Sequence, residues 1–195
     1  MINSEILQVT LFVTDTLDQL QVPYVIGGSI ASIFHGIVRT TMDADIVANL
    51  EAKHVKLFVA AVQEQFYIDE QALIQAIQRR SSVNLIHLET MFKIDIFIPK
   101  ERPFDQQQLA RRIPERIQAK TDKIIWILSA EDVVLAKLDW FRLGGEVSER
   151  QWRDILGVLK LQHATLDIAY LQQWAQALQV TDLLEHALGS VEKQS

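Results

Sequence analysis

Two aspartates separated by a single residue have the clearest chemical potential in the sequence. Asp43 and Asp45 open a largely apolar run, which is typical of a β-strand, and residues two apart in a strand leave the same face. Neighbouring carboxylates repel each other unless a cation lies between them, and hard oxygen ligands suit Mg²⁺, with Mn²⁺ as an alternative. Asp43 and Asp45 are therefore predicted metal ligands. Taken alone, the pair also fits a solvated strand end that carries two acids.

A glycine-rich turn precedes these acids. Gly27, Gly28 and Ser29 follow the apolar residues 24–26 and lead into a helical pattern. Glycine permits a close approach of the backbone, and the amides and hydroxyl at the start of a helix attract an anion. The three residues are therefore predicted to bind phosphate. Considered alone, the three residues fit a plain turn with a serine cap better.

A third acid, Asp95, lies in the alternating stretch 91–98. Alternation places Asp95 on one face together with Lys93 and Phe97, opposite an apolar face. An acid within so apolar a strand is uncommon and requires a partner. If this strand lies beside the strand of Asp43 and Asp45, three carboxylates converge near the phosphate-binding turn. That arrangement would form a two-metal phosphoryl-transfer site, with all three aspartates as catalytic residues and metal ligands.

Arg39 lies four residues before Asp43. A guanidinium grips phosphate oxygens in a bidentate manner and neutralises their charge, so Arg39 is a predicted phosphate ligand. The alternative is an ordinary ion pair between Arg39 and Asp43 or Asp45.

The order of these motifs resembles that of the nucleotidyltransferases with the DNA polymerase β-like fold. The resemblance rests on Gly27-Gly28-Ser29, then Asp43-Ala44-Asp45, then Asp95. With His35-Gly36 and the residues from Arg39 to Thr41 included, the string is similar to the AbiEii-type branch. That branch contains toxin components of toxin–antitoxin pairs and many uncharacterised bacterial proteins, and the aminoglycoside and lincosamide nucleotidyltransferases share a similar string. The matched segment covers residues 24–98, and its order and spacing carry the specificity.

The resemblance implies an enzyme that transfers NMP from an NTP to an acceptor hydroxyl with Mg²⁺. The phosphates would lie at Gly28 and Ser29, and Asp95 would also accept the acceptor's proton. The acceptor is left open among tRNA, protein and a small molecule, and an antitoxin partner is a further implication. Two alternatives remain: a non-catalytic nucleotide- or partner-binding module of the same fold, and an aminoglycoside- or lincosamide-type antibiotic nucleotidyltransferase.

The second half of the chain adds one candidate residue. The segment 129–138 resembles the helix that follows the catalytic sheet in AbiEii-type proteins, where a lysine points back to the nucleotide. Lys137 is therefore a candidate triphosphate ligand and belongs to the nucleotide-binding set with Gly27, Gly28, Ser29 and Arg39. In the alternative, Lys137 lies in a buried helix and pairs with Asp154.

The elements that must position these residues alternate between helix and strand as far as residue 128 and are helical afterwards. This pattern predicts an α+β protein with a small mixed sheet, flanking helices and a helical C-terminal half. We expect a catalytic core over 1–128 and a helical region over 129–195 packed on it as one compact unit. Predicted helices cover 4–20, 29–35, 52–66, 70–80, 133–143, 149–162, 167–178 and 181–188; predicted strands cover 24–26, 43–50, 83–88, 91–98, 116–119 and 123–128.

Composition excludes several other classes of protein. The 195 residues are 49% hydrophobic and include no cysteine, which excludes global disorder, disulfide frameworks and thiolate chemistry. The net charge is −6, and 79–160 is the only basic stretch, with 15 basic and 12 acidic residues. Its densest run, residues 111–123, fits a solvated face, on which an RNA acceptor would also dock. Because the sequence has no long apolar segment and no basic signal region, we expect no membrane contact and a cytoplasmic location.

Overall fold

The computed structural model describes residues 4–118 and 122–193, and it confirms the predicted α+β class. Helices and strands alternate in the first part of the chain, and four helices follow the last strand. The helices are α1 (Ser4–Gln19), α2 (Gly28–Phe34), α3 (Val55–Val62), α4 (Glu70–Arg79), α5 (Pro103–Ala110), α6 (Ala130–Leu143), α7 (Glu149–Gln162), α8 (Ile168–Ala177) and α9 (Thr181–Glu192). The strands are β1 (Tyr24–Ile26), β2 (Asp43–Ala48), β3 (Phe66–Tyr67), β4 (Ser82–His87), β5 (Lys93–Phe97), β6 (Ile113–Gln118) and β7 (Asp122–Ile127).

The strands form one mixed sheet in the order β3-β4-β5-β2-β1-β7-β6. Strand β2 runs antiparallel to β1 and parallel to β5, so the two strands predicted to carry the aspartates are direct neighbours. Strands β4 and β5 are antiparallel neighbours and form a hairpin. Because β1 and β2 are antiparallel, the end of β1 and the start of β2 lie at the same end of the two strands, where the glycine turn begins.

Most elements begin and end where local chemistry favours it. The Ser129 hydroxyl accepts a hydrogen bond from the amide of Asp132 and caps α6, which begins three residues before the helix predicted over 133–143. Likewise, Asp69 caps α4. The helix predicted over 52–66 was too long: a single 3₁₀ turn at Ala52–His54 precedes α3, and Phe66 belongs to β3. The chain turns after Val62 because Phe66 pairs with His87 at the edge of the sheet.

Two differences concern the region before the C-terminal helices. Helix α5 was not predicted, because its apolar residues lack a clear helical period, although Pro103 at its first turn is a common helix start. Strand β6 begins at Ile113, three residues before the predicted start. The predicted strand residue Ala119 lies outside the described residues.

Two hydrophobic clusters hold the fold together. The first lies between the sheet and helices α1, α3 and α4, and it buries the alternating face of β5 through Ile94 and Ile96. The second joins the C-terminal helices to the remainder of the chain, because it includes Val25, Ala31 and Leu128. The C-terminal helices thus pack directly on the sheet region, while the division at residue 128 stays a prediction.

In the described part of the chain, no helix is both long enough and apolar enough to cross a membrane.

Candidate functional site

The pairing of β2 with β5 brings the predicted acids to one face of the sheet. Asp45 lies directly opposite Asp95, and Asp43 lies opposite Lys93. Residues opposite each other on paired strands share a face, as do residues two apart along a strand. The alternating burial of both strands agrees with this arrangement, because Ala44 and Ile94 point to the buried side.

This face of the sheet is open toward the edge formed by β3 and β4. Asn84 continues the row of Asp45 and Asp95 on β4, and it is exposed. Tyr67 on β3 is 61% exposed. The helices of the first cluster cover the opposite face, whereas on this side 14% of the Asp95 side chain is exposed.

The glycine turn lies against the central acid of the group. The Gly27 amide donates a hydrogen bond of 2.8 Å to the carbonyl of Asp45. Gly28 has a φ of +52°, and a Cβ atom there would lie 1.7 Å from Oδ2 of Asp45. Only glycine fits this position, both because of its conformation and because the carboxylate occupies the space of a side chain.

Electrostatic strain is concentrated on Asp45. Burial, followed by the charges of Asp43 and Asp95, raises the pKa of Asp45 to about 6. The charges of Lys137 and Lys93 oppose this shift without abolishing it. A carboxylate kept ionised at neutral pH in such surroundings favours the arrival of a cation.

Each of the outer acids has a partner within the protein. Thr41 donates a hydrogen bond of 2.5 Å from its hydroxyl to Oδ1 of Asp43. The Lys93 ammonium lies 2.7 Å from Oδ2 of Asp95, whose hydrogen bond raises the pKa of Lys93. Oδ1 of Asp95 is buried and accepts no hydrogen bond from the described residues.

The carboxylates share a face but are not already gathered as a metal site. Among residues 4–118 and 122–193, no group of three or more acidic, histidine or cysteine side chains is arranged to hold an ion. The donor set nevertheless fits a hard divalent cation: three carboxylates, one with an unpartnered buried oxygen. The assignment of Asp43, Asp45 and Asp95 as metal ligands therefore stays a prediction.

Beside the acids, one carboxylate holds both predicted cationic ligands. Arg39 and Lys137 contact the same Oδ2 atom of Asp154, at 2.8 and 3.0 Å. All three side chains are nearly buried, with exposed fractions of 15%, 11% and 9% respectively. The alternative pairing of Lys137 with Asp154 is thus observed, whereas Arg39 pairs with Asp154 instead of Asp43 or Asp45.

This pairing leaves the two cations able to bind an anion as well. Each has further N–H donors beyond the one directed at Asp154, and Lys137 is near enough to Asp45 to lower its pKa. Asp154 was named at the sequence level only as a partner for Lys137. Its second role, orienting Arg39, depends on a contact between residues 115 positions apart, which no local pattern reveals.

The loop between α2 and β2 lies against α7, which explains the placement of Arg39. Gln162 donates a hydrogen bond to the carbonyl of His35, and the ring of His35 bonds the carbonyl of Leu128. Gly157 allows Ile37 to approach α7 closely, since a Cβ atom there would lie 2.4 Å from Cδ1 of Ile37. Helix α7 therefore holds in place the loop that leads to Asp43 and carries Arg39.

The Ser29 hydroxyl remains available as a ligand. Ser29 is 5% exposed, and its hydroxyl forms no hydrogen bond with any residue that the structure describes. Gly27, Gly28 and Ser29 therefore border the acids as predicted ligands for phosphate, and this role stays a prediction.

Several cations of the basic run make contacts within the protein. Arg111 stacks on the ring of Tyr170, with 3.7 Å between the guanidinium carbon and the ring centroid. Arg112 donates to the carbonyl of Tyr24, and Lys123 donates to the carbonyl of Leu11. Lys120 lies outside the described residues. These internal contacts weaken the case for an RNA-docking surface at 111–123.

A cavity of about 450 Å³ lies away from this group, between the ends of α6, α7 and α9. It is lined by Phe141, Trp152, Leu183 and His186 among others and contains none of the predicted site residues.

Comparison with known proteins supports the predicted fold. No protein-family model matches the chain. No curated protein matches it by sequence. Among solved structures, the antibiotic-resistance factor ANT(2'')-Ia in solution is similar with a TM-score of 0.57 and 14% identity, covering 94% of this chain and 96% of that one.

Two further structures show the same likeness. The crystal structure of ANT(2")-Ia in complex with adenylyl-2"-tobramycin has a TM-score of 0.54 and 12% identity, over 88% of this chain and 97% of that one. An antigenic nucleotidyltransferase-like protein from Paracoccidioides brasiliensis has a TM-score of 0.52 and 15% identity, over 92% and 91% of the two chains. At these identities the likeness shows that the chain has the nucleotidyltransferase fold.

Proposed function

We propose that the protein is a metal-dependent nucleotidyltransferase that transfers NMP from an NTP to a hydroxyl group of an acceptor. The observation that carries the proposal is the placement of Asp45 opposite Asp95, with Asp43 on the same face and Gly28 packed against Asp45. The nucleotidyltransferase fold supports it. Three carboxylates beside a glycine turn are suited to phosphoryl chemistry, which needs positioning and charge neutralisation rather than a protein nucleophile.

Each group has a defined task in this proposal. Asp43, Asp45 and Asp95 would hold Mg²⁺, whose chemistry is to neutralise phosphate charge and activate an oxygen nucleophile. Gly27, Gly28 and Ser29 bind the phosphates through the backbone and the free hydroxyl. Arg39 and Lys137, held by Asp154, contribute their remaining N–H donors to the triphosphate.

The transfer exchanges one bond for another. The acceptor oxygen forms a bond to the α-phosphorus, the bond from that phosphorus to the bridging oxygen breaks, and pyrophosphate leaves. Asp95 takes the proton of the acceptor hydroxyl, for which its unpartnered Oδ1 is suited.

A direct test uses an α-labelled NTP, Mg²⁺, and either total tRNA or a protein extract as acceptor. Label transfer by the wild-type protein that disappears in Asp43→Ala supports the proposal. No transfer with any of the four nucleotides and any acceptor favours the alternative, a non-catalytic nucleotide- or partner-binding module. The AbiEii-type assignment and an antitoxin partner stay predictions, which an adjacent antitoxin-like reading frame would support.

The second candidate acceptor is an antibiotic. It is favoured by the likeness to ANT(2'')-Ia, which extends over nearly the whole of both chains. Expression of the protein should then raise the inhibitory concentration of an aminoglycoside or a lincosamide, and an unchanged value with well-expressed protein removes this candidate.

A further inference from the structure

The carboxylate face, formed by Asp43, Asp45 and Asp95, also carries Lys93, whose charge opposes the binding of a metal. It lies opposite Asp43 and two residues before Asp95, so its side chain shares their face. Its ammonium contacts Oδ2 of Asp95 at 2.7 Å. The Lys93 ammonium therefore lies beside a carboxylate oxygen that would otherwise attract a divalent ion.

The lysine end of this contact is open to solvent. The Lys93 side chain is 42% exposed, whereas that of Asp95 is 14% exposed, so Lys93 can exchange the carboxylate for water at little cost. The long side chain also retains room to turn into solvent. Lys137, the other cation acting on Asp45, is by contrast enclosed and bound to Asp154.

The contact has a direct consequence for Asp95. Oδ2 is engaged by Lys93, whereas Oδ1 is buried without a partner. Asp43 is likewise turned to Thr41. The three carboxylates share a face because of the strand register. The contacts with Lys93 and Thr41 give a physical reason why they are nevertheless not gathered around a common point.

We propose that Lys93 is an internal counter-cation of the carboxylate face, which neutralises Asp95 in the metal-free protein and is displaced when a divalent ion binds. This inference rests on the proposed function. Its consequence is that Lys93 weakens metal binding in the absence of nucleotide, so that the charge of the arriving triphosphate is needed to complete the site.

The test measures Mn²⁺ binding to the full chain without nucleotide, by the loss of the free-ion signal in electron paramagnetic resonance. Lys93→Met should bind Mn²⁺ about tenfold more tightly than wild type, since one unit of repelling charge is removed close to the ion. Lys93→Arg keeps the charge and should stay close to wild type. Thermal unfolding checks that every variant is folded.

Lys53→Met is the matched control. Lys53 makes a similar lysine–carboxylate contact with Glu51, 3.1 Å long and exposed, and its loss changes the net charge equally. An affinity that rises in Lys93→Met but not in Lys53→Met supports the inference. An unchanged or weaker affinity in Lys93→Met overturns it while leaving the proposed function intact. Failure of Lys93→Met to bind Mn²⁺ without nucleotide also overturns the inference. Failure of the wild-type protein to bind Mn²⁺ even with a non-hydrolysable NTP contradicts the metal-dependent function itself.

Discussion

Asp45 and Asp95 lie directly opposite each other on the neighbouring parallel strands β2 and β5. A cross-strand pair of like charges is destabilising, and here a third acid, Asp43, adds to the repulsion. The arrangement therefore lowers stability in the absence of a cation, a cost often tolerated at functional sites.

The first prediction concerns pH and stability. The pKa of Asp45 is about 6 in the folded protein against an ordinary value of 3.8, so the folded state holds this proton more tightly than the unfolded state. The free energy of unfolding should fall as pH rises from about 4 to about 6. Asp45→Asn should remove this dependence and stabilise the metal-free protein at neutral pH by about 3 kcal/mol.

Urea denaturation across this pH range measures the effect. Asp182→Asn is the control, because Arg142 lowers the pKa of Asp182 through their hydrogen bond. That exposed contact favours folding, so its loss should lower stability slightly or leave it unchanged. An Asp45→Asn variant that is less stable than wild type at neutral pH would show that the carboxylate is not under strain.

The second prediction concerns Asp154, which holds Arg39 and Lys137. Asp154→Asn should weaken the binding of a non-hydrolysable NTP by about tenfold or more, because both cations lose their orientation. It should also lower stability by about 3 kcal/mol, since two enclosed cations lose their counter-charge. Calorimetric titration and urea denaturation give the two values.

A matched variant separates these effects. Asp139 in α6 is comparably enclosed, with 13% of its side chain exposed, and it pairs with Arg102 at 2.9 Å. Asp139→Asn should cost stability but leave nucleotide affinity unchanged. Equal losses of nucleotide affinity in the two variants would mean that Asp154 acts only through stability.

Helices and strands with a clear period of apolar residues could be predicted from the sequence, whereas elements without one could not. Alternation in β5 predicts the faces of Lys93, Asp95 and Ile94 correctly, because the strand period is fixed by the backbone. The helix over 149–162 is predicted to the residue, since Ser148 caps it and its apolar residues are periodic. Helix α5 lacks such a period and was missed.

Side-chain partners were harder to predict than elements. Arg39 could pair with several acids, and its choice of Asp154 depends on how α7 packs against the loop near Gly157. The basic residues of 111–123 were predicted to form a solvated face, yet Arg111 stacks on Tyr170 from α8. Both outcomes depend on tertiary packing between distant segments, which neither spacing nor composition encodes.

The third prediction concerns Gly28. Gly28→Ala should lower the rate of nucleotidyl transfer by roughly 100-fold, because the new Cβ atom displaces the carboxylate of Asp45. Gly145→Ala is the control: Gly145 also has a positive φ, of +74°, but open space around it. Both variants carry backbone strain, so only the displacement of Asp45 distinguishes them. Equal activity of the two variants would show that the contact between Gly28 and Asp45 is not needed for nucleotidyl transfer.

The most direct measurement of the central claim compares NTP labelled at the α-phosphate with NTP labelled at the γ-phosphate, each with Mg²⁺ and the same acceptor mixture. We predict that α-label enters the acceptor, that γ-label appears only in pyrophosphate, and that Asp45→Asn abolishes both. Transfer of γ-label to the acceptor, or α-label transfer that persists in Asp45→Asn, would contradict the account.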